Sequence, residues 1–344
     1  MKEFGSDFHY MDSFKRGGKT IGDFFPCSNF YADGRQALVH LYRYFQWKRL
    51  WVPEYFCYDV LESLKESGLN LAFYTDYPGY YDQEEISRIP FSEGDALLRV
   101  NYFGTRSFRD SSIVPSPVPV VEDHTHDLLG EWALGSKADW CIASLRKTLP
   151  IPEGGILWSP KGLPLPHPPL RLQKNEVIAG LRWKGMALKR DYLHDEPVQK
   201  EEFRKLLVGT EPYFDSAEVS LIDKETEEYL SMFDVEGWYA RKKENWREIK
   251  STVYRNFDVL PPEDPACNPF SATIVCGSKE NRDGLRNRLI SSNIYPAVLW
   301  SIPEGESVSF GARSFSERML SIHCDGRYSI HDIMEMKQMI MSIE

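Results

Sequence analysis

The stretch "CIASLRKTLPIPEGG" (residues 141–155) decides the fold prediction. Its apolar beginning predicts a buried strand, which ends where Ser144, Arg146 and Lys147 follow one another closely. The run of prolines and glycines over 150–155 excludes a regular helix or strand there. A lysine beside a cationic neighbour at the end of a buried strand favours its neutral amine, the form that Schiff-base chemistry requires. An ordinary surface lysine is the alternative interpretation.

Short apolar strands and amphipathic helices alternate through about residue 160, which predicts a mostly parallel α/β sheet. Asn101, Asp123 and Lys147 each follow a predicted strand, and ligands of open α/β sheets bind at such strand ends. The predicted strands are 49–53, 70–75, 117–123, 139–144 and 154–159, and residues 95–104 are predicted as a strand followed by a loop. The predicted helices are 35–48 and 58–68.

The second half of the chain predicts a different organisation. A proline-rich loop (159–170) precedes a polar, helix-rich region, and residues 224–257 are typical of one long connecting helix bent at Gly237. Short strands and helices follow, which predict a small α+β domain. We therefore expect a large domain over 1–235 and a small C-terminal domain over 236–344.

Composition excludes several classes of protein. The net charge of −10 over 344 residues disfavours nucleic acid as a partner. No apolar run approaches the roughly 20 residues of a membrane span, and the N-terminus lacks the apolar segment of a secretory signal. Six scattered cysteines without a CxxC pair predict reduced thiols in a cytoplasmic protein.

Two other motifs have competing interpretations. "GGKT" (17–20) resembles the end of a phosphate-binding P-loop, but the glycine required upstream is absent, so a turn is favoured over nucleotide binding. His124 and His126 have the spacing of two metal ligands on one strand face, but no third ligand is evident and we expect no metal.

The residues Asp33, Gly34 and Arg35 begin a predicted helix, where free N–H groups and the helix dipole favour an anion. Arg35 adds a guanidinium suited to phosphate. A capped helix with a surface arginine is the alternative, and Asp123 alone is also compatible with a helix cap.

Taken in order, these stretches resemble those of the DegT/StrS family of sugar aminotransferases, which are pyridoxal-phosphate (PLP) enzymes of fold type I. "DGRQAL" (33–38) resembles the family's "SGTAAL", and "VPEYFC" (52–57) resembles "VPAFTF". "VVEDHTHDLLG" (120–130) resembles "VIEDAAQALGA". "ADWCIASLRKTLPIPEGG" (138–155) resembles "GDATVFSFHPTKNLTTGEGG", with the lysine at the same distance before the first glycine.

This resemblance implies a role for each candidate site residue. Lys147 falls where the family lysine forms a Schiff base with the cofactor and later moves a proton. Asp123 falls where a carboxylate pairs with the pyridine nitrogen, and His126 falls beside the phenolic oxygen. The implied phosphate ligands are Ser144, Gly34 and Arg35.

The chain departs from the family pattern at several positions. The family has two more residues between the serine and the lysine, so the reach of Ser144 to the phosphate is in question, and Arg146 is a substitute. Arg35 replaces a threonine. Cys57 stands at the position where the family has the aromatic residue that covers the cofactor ring. The adjacent Phe56 or Tyr58 could take that role, and His124 is a further candidate.

The implied function is transfer of an amino group from glutamate to a keto group of a nucleotide-linked sugar by a homodimer. Family members that dehydrate sugars carry histidine in place of the lysine, so Lys147 favours transamination over elimination or dehydration. A non-catalytic binding or regulatory protein with the same fold is the alternative from another class.

Overall fold

A computed structural model describes residues 3–12, 14, 17–80, 83–107, 116–215 and 218–343. Its centre is a seven-stranded sheet with the strand order β2-β8-β7-β6-β5-β3-β4. The pairs from β4 to β7 are parallel, whereas β8 is antiparallel to both of its neighbours. The strands are β1 Phe4–Gly5, β2 Ser28–Tyr31, β3 Arg49–Pro53, β4 Leu71–Tyr74, β5 Asp95–Val100, β6 Val120–Asp123, β7 Trp140–Ser144 and β8 Gly155–Trp158.

The sheet is buried on both faces because helices and loops cover each side. Every residue of β5, β7 and β8 is buried, which explains why these strands are near-continuous apolar runs rather than alternating patterns. In chain order, the first helices of the structure are α1 Ile21–Phe24, α2 Gly34–Tyr44, α3 Tyr58–Glu66, α4 Gln83–Arg88, α5 Glu131–Gly135, α6 Gln173–Leu193 and α7 Lys200–Thr210. The prediction of a mostly parallel α/β sheet is confirmed.

The edge strand β2 was not predicted from the sequence. It pairs antiparallel with β8 and is only partly buried, so its four residues carry neither a long apolar run nor a clear alternation.

The prediction of one connecting helix bent at Gly237 is wrong. The structure has two helices, α8 Lys224–Leu230 and α9 Val235–Lys250. Asp234 caps α9 by accepting a hydrogen bond from the N–H of Gly237, so the glycine lies in the first turn of a helix and not at a bend.

A smaller antiparallel sheet follows, with β10 between β9 and β12. Val235 and Trp238 at the start of α9 pack in the core of the large sheet, and Trp246 and Ile249 near its end pack in the core of the small one. The boundary at residue 235 stays a prediction. The remaining elements are β9 Phe257–Val259, β10 Ala272–Cys276, α10 Lys279–Ser291, β11 Ile294–Tyr295, α11 Phe310–Arg318, β12 Met319–Ile322 and α12 Ile330–Ile343.

The segment "GGKT" does not form a phosphate-binding loop. A Cβ on Gly18 would lie 1.8 Å from the Asp234 carboxylate, and Lys19 forms an exposed ion pair of 3.4 Å with Glu236. Thr20 caps the short helix α1. The segment is therefore a turn, as the sequence favoured.

Among the helices in the described ranges, none combines the length and the apolar character needed to cross a bilayer.

Candidate active site

A cavity of about 220 Å³ lies at the carboxyl ends of the parallel strands. The ends of β5, β6 and β7 contribute Asn101, Asp123 and Ser144 to its lining. The structure brings all six predicted site residues to this cavity, namely Gly34, Arg35, Asp123, His126, Ser144 and Lys147.

Lys147 ends a short 3-10 turn, Leu145–Lys147, that directly follows β7. The N–H groups of Leu145 and Arg146 both donate to the carbonyl of Gly154, which fixes the turn against the start of β8. The Lys147 side chain is 48% exposed and lines the cavity. The positive charge of Arg146, together with partial removal of the amine from water, lowers the pKa of Lys147. Its neighbour therefore favours the neutral amine, as the sequence indicated.

Arg146 itself does not line this cavity, although it was considered as a phosphate ligand. Its Nε lies 3.1 Å from Asp33 Oδ2 and its Nη2 lies 2.9 Å from Glu211 Oε1. The guanidinium also packs 4.2 Å from the ring centroid of Phe214. Because Arg146 is already bound by two carboxylates, it is not available in this arrangement as a substitute for Ser144.

The N-terminus of α2 forms one end of the cavity. Asp33 caps the helix by accepting from the N–H of Arg35 at 2.8 Å, and the Arg35 side chain pairs with Asp215 at 2.6 Å. A Cβ on Gly34 would lie 2.8 Å from the backbone nitrogen of Ser144, so only glycine permits this approach of helix to strand. The Ser144 Oγ is buried, and within the part of the chain that the structure describes it has no hydrogen-bond partner.

Asp123 lies at the end of β6 with its Oδ1 accepting from the N–H of Thr125 at 2.8 Å. Burial raises the pKa of the Asp123 carboxyl, and the nearby Asp33 charge adds to this effect. This partly buried carboxylate has no ion-pair partner among the described residues and is suited to a cationic one.

His126 is held neutral between two aromatic rings. Its Nδ1 accepts from the N–H of Phe103 at 3.1 Å, which assigns the proton to Nε2. The ring stacks on Phe103 at 5.2 Å and on Trp300 at 5.3 Å between centroids. Burial lowers the pKa of His126 to about 3, so the imidazole is a neutral N–H donor at physiological pH.

His124 does not belong to the lining of the cavity, in contrast to His126. Its Nε2 lies 3.2 Å from Glu122 Oε2, and its ring packs edge-on against Trp132. It therefore shares no face with His126 and does not cover a cofactor ring. Of the other three candidates for that position, Phe56 and Cys57 line the cavity and Tyr58 does not.

Glu122, His124 and Cys141 bring their ligand atoms within 4.8 Å of one another, the spacing of a possible metal cluster. The Glu122 carboxylate already accepts from Ser136 at 2.6 Å and pairs with Arg99 at 3.4 Å. These buried groups belong to one hydrogen-bond network, and the cation of Arg99 opposes a metal ion there.

Glu211 is the main cavity residue that sequence reasoning missed. It lies on the short 3-10 helix Glu211–Asp215 after α7, in the region with the weakest resemblance to the family. No local pattern in "GTEPYFD" marks it. Thr125 and Trp300 were missed as well, although Thr125 stands inside the "EDHTH" motif.

A second cavity of about 430 Å³ adjoins the first. The two share Lys147, Glu211, Phe270 and Leu299 in their linings. Ser6, Asp7 and Phe8 of the N-terminal segment form part of its wall, as do Arg182 and Arg327. Lys147 is therefore accessible from two compartments.

No protein-family model and no curated protein matches the sequence. Solved structures do match over nearly the whole chain. The PLP form of Spr1654 from Streptococcus pneumoniae is 13% identical with a TM-score of 0.63, covering 96% of this chain and 93% of that one. A DegT DnrJ EryC1 StrS aminotransferase from Brucella abortus is 15% identical with a TM-score of 0.59, covering 93% and 87%. DesI, solved in the presence of its TDP-sugar product, is 12% identical with a TM-score of 0.63, covering 95% and 85%.

These similarities identify the fold as that of the PLP-dependent aminotransferases. The fold type I prediction, made from the order of short motifs, is confirmed.

Proposed function

We propose that this chain is a PLP-dependent aminotransferase that transfers an amino group, with glutamate as donor, to a keto group of a nucleotide-linked sugar. The observation that carries the proposal is the convergence of the Lys147 amine and the Asp123 carboxylate on one cavity that ends at a helix N-terminus. This arrangement supports the roles that the sequence resemblance implies for these residues.

The residues present fit the cofactor. The Ser144 Oγ is a buried hydroxyl without a partner, next to the close approach of Gly34, and a phosphate at this end of the cavity would satisfy it. The Asp123 carboxylate, raised in pKa by burial, would gain a cationic partner in a protonated pyridine nitrogen. Arg35 would exchange its contact with Asp215 for the phosphate, or share it.

When bound, PLP supplies an electron-accepting ring that stabilises a carbanion at the carbon bearing the amino group. Asp123 would hold the protonated ring nitrogen, because its carboxylate favours a cationic partner. His126, with its proton on Nε2, would be a neutral hydrogen-bond donor beside the ring oxygen. Lys147 would hold the cofactor through Nζ, and its free amine would serve as the acid and base that moves a proton. Phe56 and Cys57 line the wall beside this space.

The substrate class is proposed from the solved structures that share this fold. DesI was solved with a TDP-sugar, and the Brucella abortus protein bears the family name of the sequence resemblance. Glutamate as donor is an expectation from that resemblance. The presence of lysine rather than histidine at position 147 favours transamination over dehydration.

The test is the visible absorbance of the purified protein with added PLP. We expect a band that is lost in Lys147→Ala and retained in the control Lys161→Ala, a surface lysine paired with Asp139. Borohydride should fix the cofactor on the peptide that contains Lys147. Glutamate should then bleach the band.

Each departure from this result has a definite meaning. A band that glutamate and other amino donors leave unchanged would contradict transamination and favour another PLP reaction. No band in the wild type would overturn the enzyme proposal and favour a non-catalytic protein. The Asp33 carboxylate, which already accepts from Arg35 at the helix N-terminus, is the feature that favours that alternative.

We also propose a cytoplasmic homodimer, as the resemblance implies. Val177 (57% exposed) and Leu181 (38%) are one turn apart on α6, and with the exposed Leu170 before the helix they support an interface along α6. All six cysteines are free thiols, in keeping with a reducing compartment. Light scattering should give the mass of two chains, and Val177→Glu should reduce it. A wild-type mass of one chain would contradict the dimer.

A further inference from the structure

Glu211 stands between the two cavities and faces the candidate reactive lysine. Its Oε1 lies 2.9 Å from Arg146 Nη2 and 3.8 Å from Lys147 Nζ, and its Oε2 lies 3.1 Å from Arg182 Nη1. The Glu211 carboxylate thus forms ion pairs with three cationic side chains. The two arginines are buried, whereas Lys147 is half exposed, so only the lysine is free to change its contacts.

The Glu211 carboxylate is fixed in position by its surroundings. The ring of Phe214 packs against both guanidinium groups, at 4.2 Å from Arg146 and 5.2 Å from Arg182. Arg182 also donates to the backbone carbonyls of Pro152 and Leu207. Because both arginines are held by other partners, the carboxylate has little freedom to follow Lys147 if the amine moves.

Groups of both signs act on Lys147, and Glu211 is the closest carboxylate to its amine among the ion pairs of the described residues. Arg146 is the strongest influence that lowers the Lys147 pKa, while Glu211 leads the groups that raise it. Burial opposes ionisation of Glu211, but Arg146, Lys147 and Arg182 lower its pKa to about 2, so it is an anion at neutral pH. The titratable groups that act on Lys147, or on which it acts, are Arg146, Glu211, Asp33, Cys57 and His126.

We propose that Glu211 is a positioning residue that sets the proton affinity of the Lys147 amine and holds its Nζ between the two cavities. This role of Glu211 extends the proposed function and rests on it, because it requires Lys147 to be the reactive lysine. A released Lys147 must accept a proton and return it, and Arg146 alone would make the amine a poor acceptor. Glu211, 3.8 Å from the Lys147 Nζ, restores that capacity through its negative charge.

The experiment measures the titration of Lys147 directly. The full-length protein without added PLP is labelled with trace acetic anhydride over a pH series, and mass spectrometry quantifies acetylation of Lys147 against other lysines. In Glu211→Gln, loss of the nearby anion should lower the apparent pKa of Lys147 by roughly 1 to 3 pH units. The matched control is Glu227→Gln, an exposed carboxylate paired with Arg171, which should leave the titration unchanged.

A titration of Lys147 in a folded Glu211→Gln protein that coincides with the wild type would overturn the proposal. If the glutamine variant does not fold, Glu211→Asp keeps the charge but withdraws it by one methylene. It should then give a smaller shift in the same direction, and no shift would again overturn the proposal. Labelling needs no cofactor, so its failure is distinct from a missing PLP band, which would overturn the proposed function instead.

Discussion

Single residues in this site acquire their properties from neighbours that are distant in the sequence. Lys147 is influenced by Arg146 beside it, by Asp33 at the start of α2 and by Glu211 after α7. Ser144 is the opposite case, because none of the described residues forms a hydrogen bond with its Oγ. A buried hydroxyl without a partner is costly unless a ligand completes it, which makes Ser144 a direct test of the cofactor site.

We expect Ser144→Ala to weaken PLP binding by about 10-fold, the effect of one hydrogen bond to a charged group. Its melting temperature without PLP should hardly change, because no protein hydrogen bond is lost. The control Ser159→Ala should show the reverse, since Ser159 Oγ bonds Asp139 and Leu163 outside the cavity. Absorbance titration and thermal melts measure both quantities. Unchanged PLP affinity in Ser144→Ala would contradict Ser144 as a phosphate ligand.

At the scale of elements, the site depends on the close approach of a helix to a strand. Helix α2 begins at Gly34 directly against the end of β7, and Gly155 at the start of β8 lies against the backbone of Asp33 and Gly34. Three elements therefore meet with almost no space between their backbones. This contact places the N–H groups of α2 at the same end of the cavity as the strand-end residues.

We expect Gly34→Ala to lower the free energy of unfolding by about 1 to 3 kcal/mol, because the added Cβ would meet the backbone of Ser144. Gly180→Ala is the matched control. It lies in α6 with no atom near its Cβ, and alanine should stabilise it by about 0.5 to 1 kcal/mol. Urea unfolding measures both. Equal effects of the two substitutions would show that α2 does not approach β7 so closely.

At the scale of the whole molecule, the N-terminal segment joins parts that are far apart in the chain. Phe4 and Gly5 pair with β11, and Arg327 donates to the carbonyl of Asp7 at 3.0 Å. On the other side Lys189 of α6 donates to Ser6 Oγ at 2.6 Å. The same segment forms a wall of the second cavity, so its attachment affects access to Lys147.

Lys189 makes this attachment dependent on pH. Burial, followed by the charge of Arg327, lowers the pKa of Lys189 from 10.5 to about 7. Between these values the unfolded chain binds a proton that the folded chain lacks, so the Lys189 contribution to stability rises with pH and is least favourable below pH 7.

We therefore expect the stability of the wild type relative to Lys189→Met to increase from about pH 7 to about pH 9, by up to ~1.4 kcal/mol per pH unit. Lys174→Met, at an exposed position of the same helix, should show a constant difference. Chemical denaturation at several pH values measures both. A pH-independent difference for Lys189→Met would contradict the buried, deprotonated lysine.

The sequence by itself determined the class of fold, and it named six residues that line the candidate site. The strands are runs long enough to be recognised by apolar content, and Lys147, Asp123 and Ser144 follow them directly, so chain order fixed their place at the sheet edge. The edge strand β2 and the break between α8 and α9 escaped prediction because both depend on partners. β2 is stabilised by β8, and the break by the Asp234 cap.

Only the tertiary structure decided which side chains face the cavity. His124 and His126 are two residues apart, yet the chain leaves β6 between Asp123 and His126, so one packs behind the sheet and the other faces the site. Arg146 is adjacent to Lys147 but turns to Asp33 and Glu211. Glu211 joins the site through packing of α7 and Phe214. The orientation of these side chains depends on which groups come into contact after folding, and no local sequence pattern indicates those contacts.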